Sequence, residues 1–169
     1  ANGSNVLDVL LGNGNGTFQA AISNPLLAND LELADVNGDG KLDIVSTDQS
    51  TNLIAVNFGN GNGTFLASVS YASFNPAKVS LADVNSDGRL DAVVTSQGGS
   101  SVLVHLGNSD GSFSTGATYD GGSGSAGGAD TLLVDVDRDG TLDYVGTSST
   151  SVVVAYGNGD GTFKATISY

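Results

Sequence analysis

The chain has 169 residues, which is enough for one domain with a buried core. Its 18 acidic residues outnumber its five basic residues, and a formal net charge of −13 argues against nucleic acid or an anionic membrane as a direct partner. It contains no cysteine, which excludes disulfides and zinc–cysteine sites, and no apolar run long enough to predict insertion into a membrane.

The acidic residues are almost all aspartate, with Glu32 as the single glutamate. Aspartate favours turns over helices and is a good cation ligand. The 25 glycines and the many Val, Leu and Ile residues complete a composition that is typical of short strands joined by tight turns. A divalent cation is the expected counterion of such a chain.

Short strands are predicted in chain order, since short runs of branched apolar residues alternate with Gly, Asn, Asp and Ser. Residues 5–22 contain two predicted strands, and residues 31–71 contain four. The four strands of 31–71 have the sequences LELADV (31–36), LDIVST (42–47), NLIAVNF (52–58) and TFLASVSY (64–71).

Two motifs repeat along the chain. DVNGDGKLD begins at residue 35 and returns as DVNSDGRLD at 83 and DVDRDGTLD at 135. GNGNGTF begins at residue 12 and returns at 59, then as GNSDGSF at 107 and GNGDGTF at 157. The second motif favours tight hairpin turns, because Asn-Gly and Asp-Gly readily adopt positive φ angles. Repeats of about 40 to 50 residues with four strands each are typical of β-propeller blades.

The sequence therefore predicts an all-β fold of propeller-type, four-stranded blades in one repeat array. Because a closed propeller has about four to eight blades, a chain of about three and a half blades predicts either a piece of a longer array or exposed edges that pair with other copies of the chain. Blades are expected at residues 31–71, 79–119 and 131–169, a half blade with the last two strands at 1–22, and connecting segments at 23–30, 72–78 and 119–130.

The aspartate motif predicts a calcium loop. Counted from its first Asp, oxygen-bearing side chains occupy positions 1, 3, 5 and 9, glycine occupies position 6, and position 7 offers its backbone carbonyl, as at the start of an EF-hand loop. The candidate metal ligands are Asp35, Asn37, Asp39, Lys41 and Asp43 in the first loop, Asp83, Asn85, Asp87, Arg89 and Asp91 in the second, and Asp135, Asp137, Asp139, Thr141 and Asp143 in the third.

Two other interpretations of these loops are weaker. Aspartates also form Asx-turns at hairpins, but this explains one or two per loop, whereas ten of the 17 aspartates lie in three identical frames. Magnesium also prefers oxygen ligands, but it keeps several waters and near-ideal octahedral geometry. Calcium is the expected cofactor, and the third loop, with four carboxylates against three, is expected to bind it tightest.

DVNGDGKLDIV followed by LGNGNGTF resembles the FG-GAP or VCBS repeat, the blade unit of integrin α-chain propellers and of many bacterial surface proteins. The FG pair is Phe58-Gly59, whereas an Asn-Pro pair stands near the place of the GAP element, which favours the bacterial type. The resemblance implies a β-propeller with calcium in the hairpin between the first and second strands of each blade. It also implies an extracellular or cell-surface location and a role in adhesion, assembly or glycan binding.

The remaining candidate sites are weaker. His105 is the single histidine, and its position in the other repeats holds Leu10, Asn57 and Ala155, so we do not expect an enzyme. Sequons place candidate glycosylation sites at Asn2, Asn15 and Asn62.

The sequence favours a non-enzymatic, calcium-binding extracellular propeller module with an adhesive, structural or self-assembly role. The expected partners are calcium ions and a glycan or protein ligand. Two alternatives stay open: a lectin-like propeller that binds sugar through aromatic residues such as Phe58, Tyr71 or Tyr119, and an accessory domain of a secreted enzyme.

Overall fold

The computed structural model describes residues 6–97, 101–114, 116–120, 131–147 and 151–169. Within these ranges the regular structure is entirely β, and no helix is long and apolar enough to cross a membrane. The strands are β1 (Val6–Val9), β2 (Ile22–Pro25), β3 (Asp30–Ala34), β4 (Asp43–Asp48), β5 (Leu53–Asn57), β6 (Val69–Ala72), β7 (Pro76–Ala82), β8 (Asp91–Ser96), β9 (Ser101–His105), β10 (Ala117–Asp120), β11 (Thr131–Val134), β12 (Asp143–Thr147), β13 (Val152–Ala155) and β14 (Ile167–Ser168).

The strands form antiparallel meanders in chain order. In the described residues, three sheets have four strands each, β3 to β6, β7 to β10 and β11 to β14, and a fourth sheet pairs β1 with β2 alone. We call the four-stranded sheets blades 1, 2 and 3 and the two-stranded sheet the half blade. The predicted all-β architecture of propeller-type blades is confirmed.

Several strand limits differ from the sequence prediction. β2 and β7 extend into segments that were expected to be connectors, with Pro25 at the end of one and Pro76 at the start of the other. Both are edge strands, where proline is tolerated because no ladder N–H is needed. Residues 1–5 of the expected half blade and residues 121–130 of the expected third connector lie outside the described residues.

The fourth strand of blade 1 is shorter than TFLASVSY suggested. Phe65 makes only an isolated bridge to Gly59, and regular pairing resumes at Val69. The side chain of Asn57 explains the interruption, because its Nδ2 donates to the Leu66 carbonyl at 3.0 Å.

The core lies between successive blades. The second strands β4 and β8 are buried along almost their whole length, as expected for central strands covered on both faces. No residue of 6–25, the half blade, is fully buried. One cluster joins blades 1 and 2 (Val36, Val45, Ile54, Val56, Val79, Ala92, Val94 and Phe113), and another joins blades 2 and 3 (Val84, Val93, Val102, Val104, Tyr144, Ala155 and Phe163).

The first strands of the blades lie beside one another, since β7 contacts both β3 and β11. Two carboxylates on β3 accept hydrogen bonds from the edge of β7 that is not paired with β8. Asp30 accepts a hydrogen bond from the Val79 N–H at 3.1 Å, and Glu32 accepts one from the Leu81 N–H at 3.0 Å. These side chains accept hydrogen bonds from backbone donors on the edge of β7 that no strand of the described residues pairs.

Candidate metal centre

Each aspartate loop joins the first strand of a blade to the second, as predicted for the calcium hairpin. The first loop follows β3 and leads into β4, the second joins β7 to β8, and the third joins β11 to β12. Glycine at position 6 has a positive φ in all three loops, for example 82° at Gly40. A side chain is strained in this conformation, so the turn itself favours glycine.

The first aspartate of each loop points into the loop. Asp35 accepts hydrogen bonds from the N–H groups of Gly38 at 2.7 Å, Asp39 at 3.1 Å and Gly40 at 2.8 Å. The other two loops repeat the pattern at Asp83, with bonds from Asp87 and Gly88, and at Asp135, with bonds from Arg138, Asp139 and Gly140. The backbone therefore orients this carboxylate from several directions.

The ninth residue of each loop is a buried aspartate that ties the two repeated motifs together. Asp43 is 0% exposed, and its two oxygens accept from the N–H groups of Val36 at 3.1 Å and Gly59 at 2.8 Å. Asp91 bonds Val84 and Gly107 in the same way, and Asp143 bonds Val136 and Gly157. Each oxygen keeps a lone pair, so the carboxylate is still able to bind a cation.

Burial acts on the ninth aspartate of blade 2. It raises the pKa of the Asp91 carboxyl, against the opposing effect of hydrogen bonds from Gly107 and Val84. The nearby carboxylates of Asp87 and Asp83 raise this pKa further. A cation in the loop would offset both costs, because it would compensate the charge that burial and repulsion disfavour.

The side chain at position 7 is bound to the carboxylate at position 5. Lys41 lies 2.9 Å from Asp39, Arg89 pairs with Asp87, and the Thr141 hydroxyl donates to Asp139 at 2.5 Å. The hydrogen bond from Lys41 lowers the pKa of the Asp39 carboxyl, which lies at the surface. The sequence prediction gave position 7 only a backbone role, and this side-chain contact was missed.

Three carboxylates of the third loop converge. Ligand oxygens of Asp135, Asp137 and Asp143 all lie within 4.8 Å of one another. In the described ranges, no other set of three Asp, Glu, His or Cys residues brings its ligand atoms this close together. In the first two loops, position 3 is asparagine, Asn37 or Asn85, which contributes an amide oxygen in place of a carboxylate. An all-oxygen donor set fits a hard cation such as calcium.

The link between the two motifs was also missed. Gly59, Gly107 and Gly157 begin the second motif, and their N–H groups bind the ninth aspartate of the same blade. The signal was present in the sequence, because every copy of the second motif begins with glycine. Glycine is needed at this position for lack of space, because a Cβ on Gly59 would lie 2.0 Å from the Leu42 carbonyl oxygen.

The second motif itself forms turns closed by its own side chains. The Asn15 side-chain oxygen accepts from the Thr17 N–H and hydroxyl, and Asn62 does the same with Thr64. Both asparagines are exposed, while the third sequon, at Asn2, lies outside the described residues.

The aromatic residues considered for sugar binding pack between blades. Tyr71 makes an edge contact with Phe113 at 5.8 Å between ring centroids, and Tyr119 makes one with Phe163 at 5.7 Å. Phe58 packs against the cluster between blades 1 and 2.

The meander of four-stranded blades with an aspartate loop in each first hairpin defines a propeller-type repeat protein. A family model for the FG-GAP-like repeat matches residues 35–94 and 83–146, and the chain belongs to this family. No curated protein sequence matches the chain significantly.

Two solved structures are similar to the chain. A lectin of Agrocybe aegerita that recognises non-reducing terminal N-acetylglucosamine has a TM-score of 0.66 at 23% identity, with 98% of this chain and 46% of the lectin chain covered. The chain thus spans about half the length of that lectin, and the likeness shows the fold alone. The Photorhabdus luminescens Tc holotoxin pore has a TM-score of 0.45 at 17% identity, with 97% of this chain and 11% of that chain covered.

Proposed function

We propose that the chain is a non-enzymatic, calcium-binding propeller module of an extracellular or cell-surface protein, with an adhesive or structural role. The observation that carries this proposal is the convergence of Asp135, Asp137 and Asp143 within 4.8 Å in a loop type that occurs three times. Calcium would lie among these side-chain oxygens and offset their mutual repulsion. Membership of the FG-GAP-like repeat family supports the extracellular location.

Thermal unfolding in chelator and in calcium tests the proposal. A ligand that binds only the folded state at 100 times its Kd stabilises by about 2.7 kcal/mol per site. For a chain of this size we expect a midpoint lower in chelator by on the order of 5–10 °C per site, and restored by calcium. Equal midpoints in the two buffers would refute calcium binding, and equal restoration by magnesium would refute the choice of metal.

Substitution in the third loop tests the ranking of the sites. We expect Asp137→Asn to abolish the tightest step of a calorimetric calcium titration, since it removes one of the three convergent carboxylates. Asp160→Asn is the matched control, because Asp160 is an exposed turn aspartate bonded to Thr162 outside the three loops. A titration that Asp137→Asn leaves unchanged would contradict the ranking.

Carbohydrate binding is the second candidate function, and the similar fold of the Agrocybe aegerita lectin favours it. Because Tyr71 and Tyr119 pack against phenylalanines, a sugar would need other surfaces. Titration with a glycan ending in N-acetylglucosamine, beside one ending in galactose, tests this candidate. Absence of heat or of chemical-shift change with both glycans would count against it.

A further inference from the structure

Two places in the half blade are uncovered by the described residues: one edge of β1 and the space beside Gly12, which we call the socket. In the complete blades an aspartate hairpin fills both places. By aspartate hairpin we mean the first and second strands of a blade with the aspartate loop between them. In blades 1 to 3 the third strand pairs with the second strand on one side and the fourth on the other. The corresponding strand of the half blade, β1, pairs with β2 alone among the strands of the described residues.

The socket lies at Gly12, the half-blade counterpart of Gly59, Gly107 and Gly157. In the three complete blades a Cβ on this glycine would lie 2.0, 2.1 and 2.3 Å from a leucine carbonyl oxygen of the aspartate hairpin. At Gly12, no atom of the described residues other than Gly12 and its two chain neighbours lies within 4 Å of that position. Gly12 also lacks a positive φ, so the backbone conformation does not require glycine there.

An apolar groove lies next to this glycine, since Leu11, the residue before Gly12, is one of its lining residues. It has a volume of about 770 Å³ and lies between the half blade and blade 1, with Leu7, Val9, Leu11, Leu31, Leu33 and Leu42 among its lining residues. Leu33 and Leu42 are 52% and 58% exposed. Their counterparts in blades 2 and 3 are partly buried and pack against the clusters between blades: Leu81, Leu90, Leu133 and Leu142.

We propose that this groove is the docking surface for an aspartate hairpin of the same repeat, joined in cis ahead of β1. The hairpin would set its ninth aspartate against the Gly12 N–H and its leucine carbonyl above the Gly12 Cα, as in the three complete blades. The groove would then be covered by the apolar strands of that hairpin, and Leu33 and Leu42 would become partly buried like their counterparts.

A second copy of the chain is the weaker occupant. The three aspartate hairpins in the described ranges already form the first halves of blades 1, 2 and 3. Another molecule would deliver one only by opening a blade and breaking its inter-strand bonds. A hairpin in cis has no such cost, and its connection has a precedent, since residues 49–52 join β4 to β5.

A fusion tests the proposal. A second copy of residues 30–48 is fused to the N-terminal side of residue 2 of this chain. Four residues then separate the added hairpin from β1, as residues 49–52 separate β4 from β5, and the hairpin is free to pair with β1. We expect the fusion to unfold at a temperature higher by on the order of 5 °C than the original chain, because it covers the groove and pairs β1. A scrambled 30–48 segment in the same place is the control, and a midpoint equal to the scrambled fusion would overturn the proposal.

Gly12→Ala makes the test specific to the socket. In the original chain we expect an unchanged midpoint, because the new methyl group meets open space; in the fusion we expect the gain to be lost, because that group would meet the leucine carbonyl. Gly59→Ala in the original chain is the positive control and should lower the midpoint. A fusion whose gain survives Gly12→Ala would overturn the proposed geometry.

Amide hydrogen exchange follows the docking without relying on a melting curve. In the original chain we expect a synthetic peptide of residues 30–48 to slow exchange in Val6–Val9, and the same peptide with Asp43→Ala to have no effect. Unaltered exchange in Val6–Val9 both with the peptide and in the fusion would refute the surface. A dimer of the original chain by light scattering, with Val6–Val9 protected, would assign the groove to a second copy instead.

Discussion

His105 shows how one position of the repeat is used differently in each blade. The residue is 1% exposed, and its Nδ1–H donates to the Ser114 carbonyl at 3.1 Å, while Nε2 has no partner in the described residues. Asn57 occupies the same place in blade 1 and donates to the equivalent carbonyl of Leu66. The histidine therefore has a structural contact that an amide also provides.

The burial of His105 predicts that the stability of the protein depends on pH. Burial lowers the pKa of His105 below its ordinary value of 6.5, against the smaller opposing effect of the Ser114 bond. Because the folded pKa is depressed, the stabilisation is present above about pH 6.5 and is lost as pH falls through the folded value. Urea unfolding between about pH 5 and 8 should show stability falling on the acidic side of this range.

His105→Asn is the matched variant for this measurement, since Asn57 shows that asparagine fits. It should unfold with a flatter pH profile and similar stability at pH 8. Parallel profiles for the two proteins would show that His105 is not the group responsible.

The buried ninth aspartate predicts a second residue-scale effect, independent of metal. Asp43→Asn places an amide N–H₂ against a backbone N–H of Val36 or Gly59, so one buried hydrogen bond is lost. We expect a loss of about 2 kcal/mol in the free energy of unfolding, measured in chelator. Asp39→Asn, on an exposed residue of the same loop, should change stability little in that buffer. Equal losses would contradict the structural role of position 9.

At the scale of the elements, the edge of β7 depends on carboxylates of β3. Glu32 is half-buried, and its burial raises the pKa of its carboxyl, while the hydrogen bond from Leu81 lowers it and Asp30 raises it further. The Glu32 side chain therefore stabilises the fold mainly as a hydrogen-bond acceptor, whereas burial disfavours its negative charge.

Two substitutions of Glu32 distinguish its role as a hydrogen-bond acceptor from the effect of its charge. Glu32→Ala should reduce the free energy of unfolding by about 1–2 kcal/mol, because the Leu81 N–H loses its acceptor. Glu32→Gln keeps an acceptor and should retain the stability at pH 7 in a urea titration. A Gln variant as unstable as the Ala variant would indicate that the charge matters.

At the scale of the molecule, successive blades pack together through a repeated aromatic contact. A tyrosine from the last strand of one blade meets a phenylalanine of the next, Tyr71 with Phe113 and Tyr119 with Phe163. The half blade has Asn24 at the tyrosine position, and its Nδ2 donates to the Gly63 carbonyl at 3.0 Å. This junction thus lacks the aromatic pair.

The phenylalanines of the second motif therefore differ in what they contribute. Phe113→Ala should cost about 3–4 kcal/mol in chemical unfolding, since Phe113 is 5% exposed within an inter-blade cluster. Phe18→Ala, at the same motif position but 65% exposed, should change stability by less than about 0.5 kcal/mol. Similar losses at the two positions would refute the inter-blade role of this motif.

Much of the blade was predictable because its signals are local. Alternating apolar runs, Asp and Asn turns and the glycine at position 6 act within a few residues, so strands and aspartate loops fell where LELADV, DVNGDGKLD and LDIVST placed them. The limits at Pro25, Pro76 and Val69 were wrong, because they depend on which strand is an edge and on the Asn57 side chain.

Other features depended on contacts between distant parts of the chain. Local sequence does not distinguish Asp43, which is buried against Gly59, from Asp39, which is exposed beside Lys41. It also does not distinguish Phe113 from Phe18, or Gly59 from Gly12, although each pair shares one motif. These differences arise from the stacking of each blade on the next, because burial is a property of neighbours in space.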